Sequence, residues 1–370
     1  MSDPALVTGA AGDVAGDPEF VQLLTPQGER VEHPQYGVDF SPDEYRALYH
    51  DLCMVRRLDT EALALCRQGE MGIWASLLGQ EAAQVGSARA LHPDDMVFPT
   101  YREHGVAYCR DVDILRMVGV YRGVSHGGWD PAEKNFHLYT IVIGNQALHA
   151  TGYAMGVQKD GAESAVIAYF GDGASSQGDT NEAFVFAGAY HAPVVFFCQN
   201  NQWAISEPIE RQSRVPLYHR ARGFGFPGIR VDGNDVLACY AVTRKAIDNA
   251  RSGQGPALIE AYTYRMGAHT TTDDPTRYRT QSELDHWAVR DPIARVRKFL
   301  TNEGMGDDDF FASVDADADR LAATFRQGVL DLPNPEPTFV FDHAYAEPHP
   351  LVDEERAAMT SYLASFEGGH

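Results

Sequence analysis

Residues 165–201 read AVIAYFGDGASSQGDTNEAFVFAGAYHAPVVFFCQNN. Two apolar runs, 165–170 and 193–198, each end in a polar cluster, Gly171-Asp172-Gly173 and Gln199-Asn200-Asn201. A helical pattern starting near Asp179-Thr180 lies between them. Short, wholly apolar runs on either side of a helix predict two parallel strands covered on both faces. The expected fold class is therefore α/β, with a mostly parallel central sheet and helices on both faces. Ligands of such sheets bind at the carboxyl ends of the strands, where both polar clusters fall. Asp172 offers a carboxylate oxygen and Asn201 an amide oxygen, the hard donors that Mg²⁺ takes beside substrate phosphate and water. Gly171 and Gly173 let backbone approach a phosphate without a Cβ in the way. The start of the following helix turns its positive end to the same place. Together these features point to a metal–diphosphate site.

Gly-Asp-Gly, the 26 residues 174–199, then an asparagine pair closing at Asn201 resembles the thiamine diphosphate fingerprint. Further stretches match the α subunit of the decarboxylating component of 2-oxo acid dehydrogenase complexes. These are GQEA at 79–82, TYREHG at 100–105 and YRMGAHTTTDDPTRYR at 264–279. The resemblance covers roughly residues 40–335 and implies a thiamine diphosphate-binding fold. It implies that Tyr101 and Arg102 grip the diphosphate, and that Gly171, Asp172, Gly173, Ala174, Asn201, Trp203 and Ala204 belong to the cofactor site. Asp172, Asn201 and the carbonyl of Trp203 would hold Mg²⁺. The backbone around Ile141 would bond the aminopyrimidine, and Ile143 would prop the cofactor into its bent shape. Arg265 and His269 would sit in the loop that closes over the cofactor, with His269 assisting acyl transfer.

The same resemblance implies partners. The pyrimidine-activating glutamate is expected from a β subunit in an α2β2 heterotetramer, so Glu81 is read as a structural helix start. The acyl product is expected to pass to the lipoyl group of a dihydrolipoyl acyltransferase. QNNQWAIS, VDGNDVLACYAV and TTDDPTRYR look like actinobacterial branched-chain subunits. The small Ala75, where the family lines its substrate pocket together with Trp74, permits a branched side chain. Pyruvate is the alternative substrate, and a non-catalytic scaffold subunit the alternative role. Two departures weaken a branched-chain assignment on the mammalian pattern: Gln199 stands where some relatives have arginine, and Asp172 where some have glutamate. A dinucleotide-binding protein would need a G-x-G-x-x-G turn after its first strand, and none is found.

Composition bounds the rest. With 52 acidic and 30 basic residues, the chain carries a net charge of −22, which argues against nucleic acid as a partner. The five cysteines include no C-x-x-C pair and read as reduced, mostly buried thiols. The first basic residue is Arg30, so no basic leader region is visible, and no apolar run reaches membrane length. A cytoplasmic protein without a membrane partner is expected.

Along the chain, residues 1–40 read as an extended or partly disordered arm, 41–335 as the cofactor-binding domain, and 336–370 as an extension that wraps a neighbour. Ser41-Pro42-Asp43-Glu44 reads as a capping box that opens a long helix. In the helix after Gly173, Ala183, Phe186, Ala187 and Tyr190 fall at helical spacing and are expected to form a buried stripe. Small residues Ala150, Gly152, Ala154 and Gly156 predict close helix packing, which the resemblance places against a partner subunit. His126 aligns with a histidine of some relatives. Asp179 and Glu182 are read as helix-start acids that complement the dipole, or, as the resemblance implies, as part of a polar tunnel between two active sites. Residues 270–279 have little apolar content and are expected to be mobile until a ligand or partner orders them. Thr270 takes the place of a serine that is phosphorylated in mitochondrial relatives.

Overall fold

The computed structural model describes residues 19–125 and 127–366. His126 and residues 1–18 of the arm lie outside them. The strands, in chain order, are β1 (Phe20–Val21), β2 (Met96–Phe98), β3 (Val166–Gly171), β4 (Val194–Asn200), β5 (Trp203–Ala204), β6 (Glu207–Pro208), β7 (Gly228–Asp232) and β8 (Ala257–Tyr262). Six form one sheet in the order β1-β7-β8-β4-β3-β2, and all of its ladders are parallel. The antiparallel pair β5–β6 stands apart from it.

The central strands show why the apolar runs are continuous. Ile167, Tyr169, Val195 and Phe197 face one core, which includes the helices Pro42–Arg67, Glu81–Arg89 and Val236–Asn249. Val166, Ala168, Phe170, Val194, Phe196 and Cys198 face the other, built on Asn145–Asp160 and Gly178–Tyr190. Burial on both faces is what an all-parallel sheet requires. The sheet and its two helical layers are the α/β architecture expected from the sequence. No described helix is long and apolar enough to cross a membrane.

Local signals act as read. Ser41 Oγ and the Glu44 side chain form the reciprocal capping box of Pro42–Arg67. β4 runs two residues past its apolar stretch because Gln199 and Asn200 find buried partners, Glu103 and Glu260, each at 2.6 Å. The stripe expected on Gly178–Tyr190 is corrected. Thr180, Ala183, Phe184 and Ala187 are buried, whereas Phe186 is 43% and Tyr190 54% exposed. This helix is apolar on two sides, so periodicity alone selects the wrong one. Phe184 decides, seating its ring among Phe170, Phe196 and Phe226. The small residues of Asn145–Asp160 also divide: Ala150 and Ala154 pack inward, and Gly152 faces outward with open space around it.

Residues 20–24 join the sheet edge. Asp235 Oδ2 accepts the backbone N–H groups of Leu23 and Leu24 at 2.7 and 2.6 Å, while Oδ1 caps the helix Val236–Asn249. Arg295 bridges to Asp232 at 2.7 Å beside it. At the other end, the helix Pro350–Ala364 buries none of its residues. Because Asp235 satisfies four buried N–H groups, Asp235→Ala should cost about 2–4 kcal/mol. The measurement is the urea midpoint, which falls while the slope of the transition stays the same.

Candidate active site

A cavity of about 500 Å³ opens at the carboxyl edge of the sheet. Each element ends there for a local reason. β3 stops at Gly171, whose missing Cβ faces open space, and a 3-10 turn, Asp172–Ser176, carries Asp172 into the wall. Gly173 also makes room for a neighbour: a Cβ there would lie 2.7 Å from Ala204 Cβ, so this glycine admits the β5–β6 hairpin. In the asparagine pair, Asn200 turns to Glu260, and Asn201, the next residue, lines the cavity. Tyr101 and Arg102 follow β2, while Arg265 and His269 follow β8. Ile141 and Ile143, 65% and 40% exposed, form an apolar rim before the helix Asn145–Asp160.

All the residues expected to hold cofactor or metal line this one cavity: Tyr101, Arg102, Ile141, Ile143, Gly171, Asp172, Gly173, Ala174, Asn201, Trp203, Ala204, Arg265 and His269. Ala75 lines it too, but Trp74 does not. The Trp74 indole stacks on His104 at 3.8 Å behind the wall and donates to Asp59 at 2.7 Å. His104 is fully enclosed, bonded to the Ala75 carbonyl and the Tyr139 hydroxyl, and burial holds its pKa down to about 3. Thr270 also lies in the wall. Asp179 and Glu182 are exposed on the helix beyond it. Glu81 pairs with Arg56 at 2.6 Å and accepts the Gly79 N–H, a structural helix start.

The cavity carries buried groups of both charges. Arg102 and Arg265 are buried, and neither forms an ion pair among the described residues. Arg102 Nη2 donates to the His269 carbonyl at 3.0 Å and to its Nδ1 at 3.2 Å. Arg265 Nη1 donates to the Trp203 carbonyl at 2.9 Å and approaches the same Nδ1 at 3.4 Å. Guanidinium groups only donate, so Nδ1 accepts and the imidazole proton sits on Nε2. Burial, followed by the charges of Arg102 and Arg265, holds the His269 pKa down to about 3, so the ring is neutral at physiological pH. Two unneutralised guanidinium groups around a neutral imidazole make a receptor for an anion.

In the same cavity, burial raises the Asp172 pKa to about 6, opposed by a hydrogen bond from Gln212 and by the charge of Arg265. No cation pairs with it among the described residues. Asn201 Nδ2 donates to Gln80 Oε1 at 3.1 Å, and its Oδ1 accepts the Trp203 N–H at 3.2 Å, keeping one lone pair free. Gln80 Nε2, Gln146 Oε1 and Arg265 Nε are buried without a partner. Orphaned polar atoms around a polar cavity mark where a polar ligand completes the bonding.

The loop 268–279, expected to be mobile, is tied down by polar contacts. His269 N donates to Asp273 at 2.7 Å, and Thr271 and Trp74 exchange two hydrogen bonds. Arg279 donates to the carbonyls of Arg265 and Met266. Low apolar content gave no sign of these ties. Sequence reasoning also missed Gln80 and Gln212. Gln80 lies within GQEA, where Glu81 drew the attention. Gln212 is separated from Asp172 by 40 positions and a breaker-rich stretch.

The folded chain holds a proton on Asp172 below about pH 6, whereas the unfolded chain does so only below the ordinary 3.8. As pH rises from 4 to 7, ionising this buried group costs the free chain stability. Asp172→Asn removes the cost. Its melting temperature should match wild type near pH 4 and exceed it at pH 7, by the equivalent of about 3 kcal/mol. Equal melting curves at both pH values would show that the buried charge is compensated.

The family model described as "Dehydrogenase E1 component" matches residues 50–324. The 3-methyl-2-oxobutanoate dehydrogenase subunit alpha of Mycobacterium tuberculosis is 45% identical over 349 residues, 94% of this chain and 95% of the relative. The pyruvate dehydrogenase E1 component subunit alpha of Bacillus subtilis is 39% identical over 80% of each chain. Its Staphylococcus aureus counterpart is 40% identical over 79% of each. With a family match across most of its length and similarity this extensive, the chain belongs to the dehydrogenase E1 component family.

Proposed function

We propose that this chain is the α subunit of a thiamine diphosphate-dependent 2-oxo acid dehydrogenase that acts on branched-chain 2-oxo acids and passes the acyl group to a lipoyl-bearing acyltransferase. The observation that carries the reading is the charge layout of the cavity, with a buried, unpaired carboxylate facing two buried, unpaired guanidinium groups. A divalent cation at the first and a diphosphate at the second would neutralise both. The donor set fits Mg²⁺: one carboxylate from Asp172, the free amide lone pair of Asn201, and the Trp203 carbonyl, which has a second lone pair beside the one held by Arg265. Arg102 and Arg265 would take diphosphate oxygens, and Gly171 would let the phosphate approach the backbone.

When bound, thiamine diphosphate supplies the electron sink for loss of CO₂ from a 2-oxo acid. The chain's own residues orient and shield. Ile141 and Ile143 offer an apolar rim for the ring system. His269, neutral with its proton on Nε2, can donate a hydrogen bond into the cavity and take up a proton once an anion offsets the neighbouring guanidinium charges.

A β subunit completes the site in this reading. The cavity's carboxylates among the described residues are Asp172 and Glu103, and Glu103 is already bonded to Thr100 and Gln199. No spare acid is left for the pyrimidine. Val142, Tyr153, Val185, Phe186 and Tyr190 are exposed apolar side chains near the cavity rim and on its two flanking helices, which suits an α2β2 assembly. Tyr345, Leu351, Tyr362 and Phe366 are exposed apolar side chains in the described part of the C-terminal extension, residues 336–366, as suits a segment that lies on a neighbour. The Mycobacterium tuberculosis relative supports a branched-chain substrate, and the two pyruvate-named relatives supply the second reading.

The test is decarboxylation by the chain co-expressed with its β partner, with Mg²⁺ and thiamine diphosphate. The branched acids 3-methyl-2-oxobutanoate and 4-methyl-2-oxopentanoate should exceed pyruvate in kcat/KM by at least about tenfold, as one or two methyl contacts allow. A preference for pyruvate would assign the protein to pyruvate oxidation. Cofactor binding without turnover on any of these acids would make it a scaffold subunit.

A further inference from the structure

Asp172 has one side-chain hydrogen-bond donor, and it comes from far along the chain. Gln212 Nε2 lies 3.0 Å from Asp172 Oδ2. Gln212 ends the short helix Ile209–Gln212, which the β5–β6 hairpin delivers: Trp203 pairs with Pro208, Ala204 with Glu207, and Ile209 N donates to the Gln202 carbonyl at 3.1 Å. The hairpin is pressed onto the Asp172 turn, with Ala204 filling the space that a side chain on Gly173 would need. The segment therefore leaves the cavity wall at Asn201 and Trp203 and returns to grip the carboxylate that faces them.

We infer that Gln212 is a positioning residue for the cation site, holding Oδ2 of Asp172 so that Oδ1 is presented to a divalent ion. The inference rests on the reading of Asp172 as a cation ligand and adds the group that aims it. A side-chain amide N–H can only donate, so it fixes one oxygen without carrying charge into the site. Oδ2 keeps a second lone pair, and Oδ1 has no side-chain partner. A lysine or arginine here would neutralise the carboxylate and compete with the metal. An apolar residue would remove the one side-chain donor among the described residues and leave the carboxylate to backbone N–H groups alone. The same contact ties the site to the hairpin, so whatever holds the Asp172 carboxylate also holds Trp203 and Ala204 in the wall. Outer partners of this kind typically contribute 10–100-fold to metal affinity.

The test uses the full chain with its β partner. Trp203 lines the cavity, so quenching of tryptophan fluorescence reports thiamine diphosphate binding while Mg²⁺ is titrated. Gln212→Met keeps length and volume and removes the donor. Its Mg²⁺ midpoint should rise about 10-fold or more. At saturating Mg²⁺ its cofactor affinity should recover, even where the lost bond to the buried carboxylate lowers the ligand-free melting temperature. Gln212→Ala, at a partly exposed helix end, should shift the midpoint in the same direction. A purely structural role would weaken cofactor binding at every Mg²⁺ concentration, with no rescue at saturation. Asp172→Asn separates the two claims. If it still binds cofactor with the wild-type Mg²⁺ dependence, the cation reading itself fails. If it loses that dependence while both Gln212 variants keep the wild-type midpoint, only the role of Gln212 is overturned.

Discussion

Strands β3 and β4 pair in parallel with Gly171 opposite Gln199, and the site depends on that register. It brings the turn of Asp172 and the end of the asparagine pair to neighbouring strand ends. A slip of one residue would turn Phe196 and Phe197 to the wrong cores and exchange the roles of Asn200 and Asn201. The packing prevents the slip. Every residue of β4 is buried, and the two polar ones at its end, Gln199 and Asn200, are held by Glu103 and Glu260. Buried polar bonds thus fix where the apolar strand stops, and therefore which asparagine faces the cavity.

On that frame the chain maintains an unfavourable charge arrangement. A carboxylate is buried without a cation, and two guanidinium groups without an acid. Each would gain from an opposite charge beside it. Their separation is kept by neutral groups: Gln212 on Asp172, the Trp203 and Ile205 carbonyls on Arg265, and the Ser76 and His269 carbonyls on Arg102. Stability is held below its attainable value, and the deficit is available to a ligand with opposite charge at each end. The neutral His269 beside the guanidinium groups belongs to the same arrangement, since burial first, and then the charges of Arg102 and Arg265, depress its pKa.

Much of this was legible in the sequence, and the unread part has a common cause. The parallel core followed from apolar runs too continuous for a one-sided sheet. The cavity residues followed from polar clusters at strand ends and from a family resemblance at 79–82, 100–105, 171–201 and 264–279. Spacing locates such residues because strands deliver them by backbone geometry. It does not report side-chain partners, which is why Gln212, Gln80 and the Arg279 ties went unread. Nor does it choose between two apolar faces of one helix: Phe186 and Tyr190 fit the period of a buried stripe, yet Phe184 takes the core. Which of two apolar faces turns inward depends on the shape of the core, and periodicity does not carry that shape.

The measurement closest to the central claim is anomalous X-ray scattering from crystals of the α–β assembly grown with thiamine diphosphate and Mn²⁺ in place of Mg²⁺. One manganese peak is expected within coordination distance of an Asp172 carboxylate oxygen, the Asn201 amide oxygen and the Trp203 carbonyl, with diphosphate density against Arg102 and Arg265. A fully occupied cofactor with no manganese peak beside Asp172, or with diphosphate density away from both guanidinium groups, would contradict it.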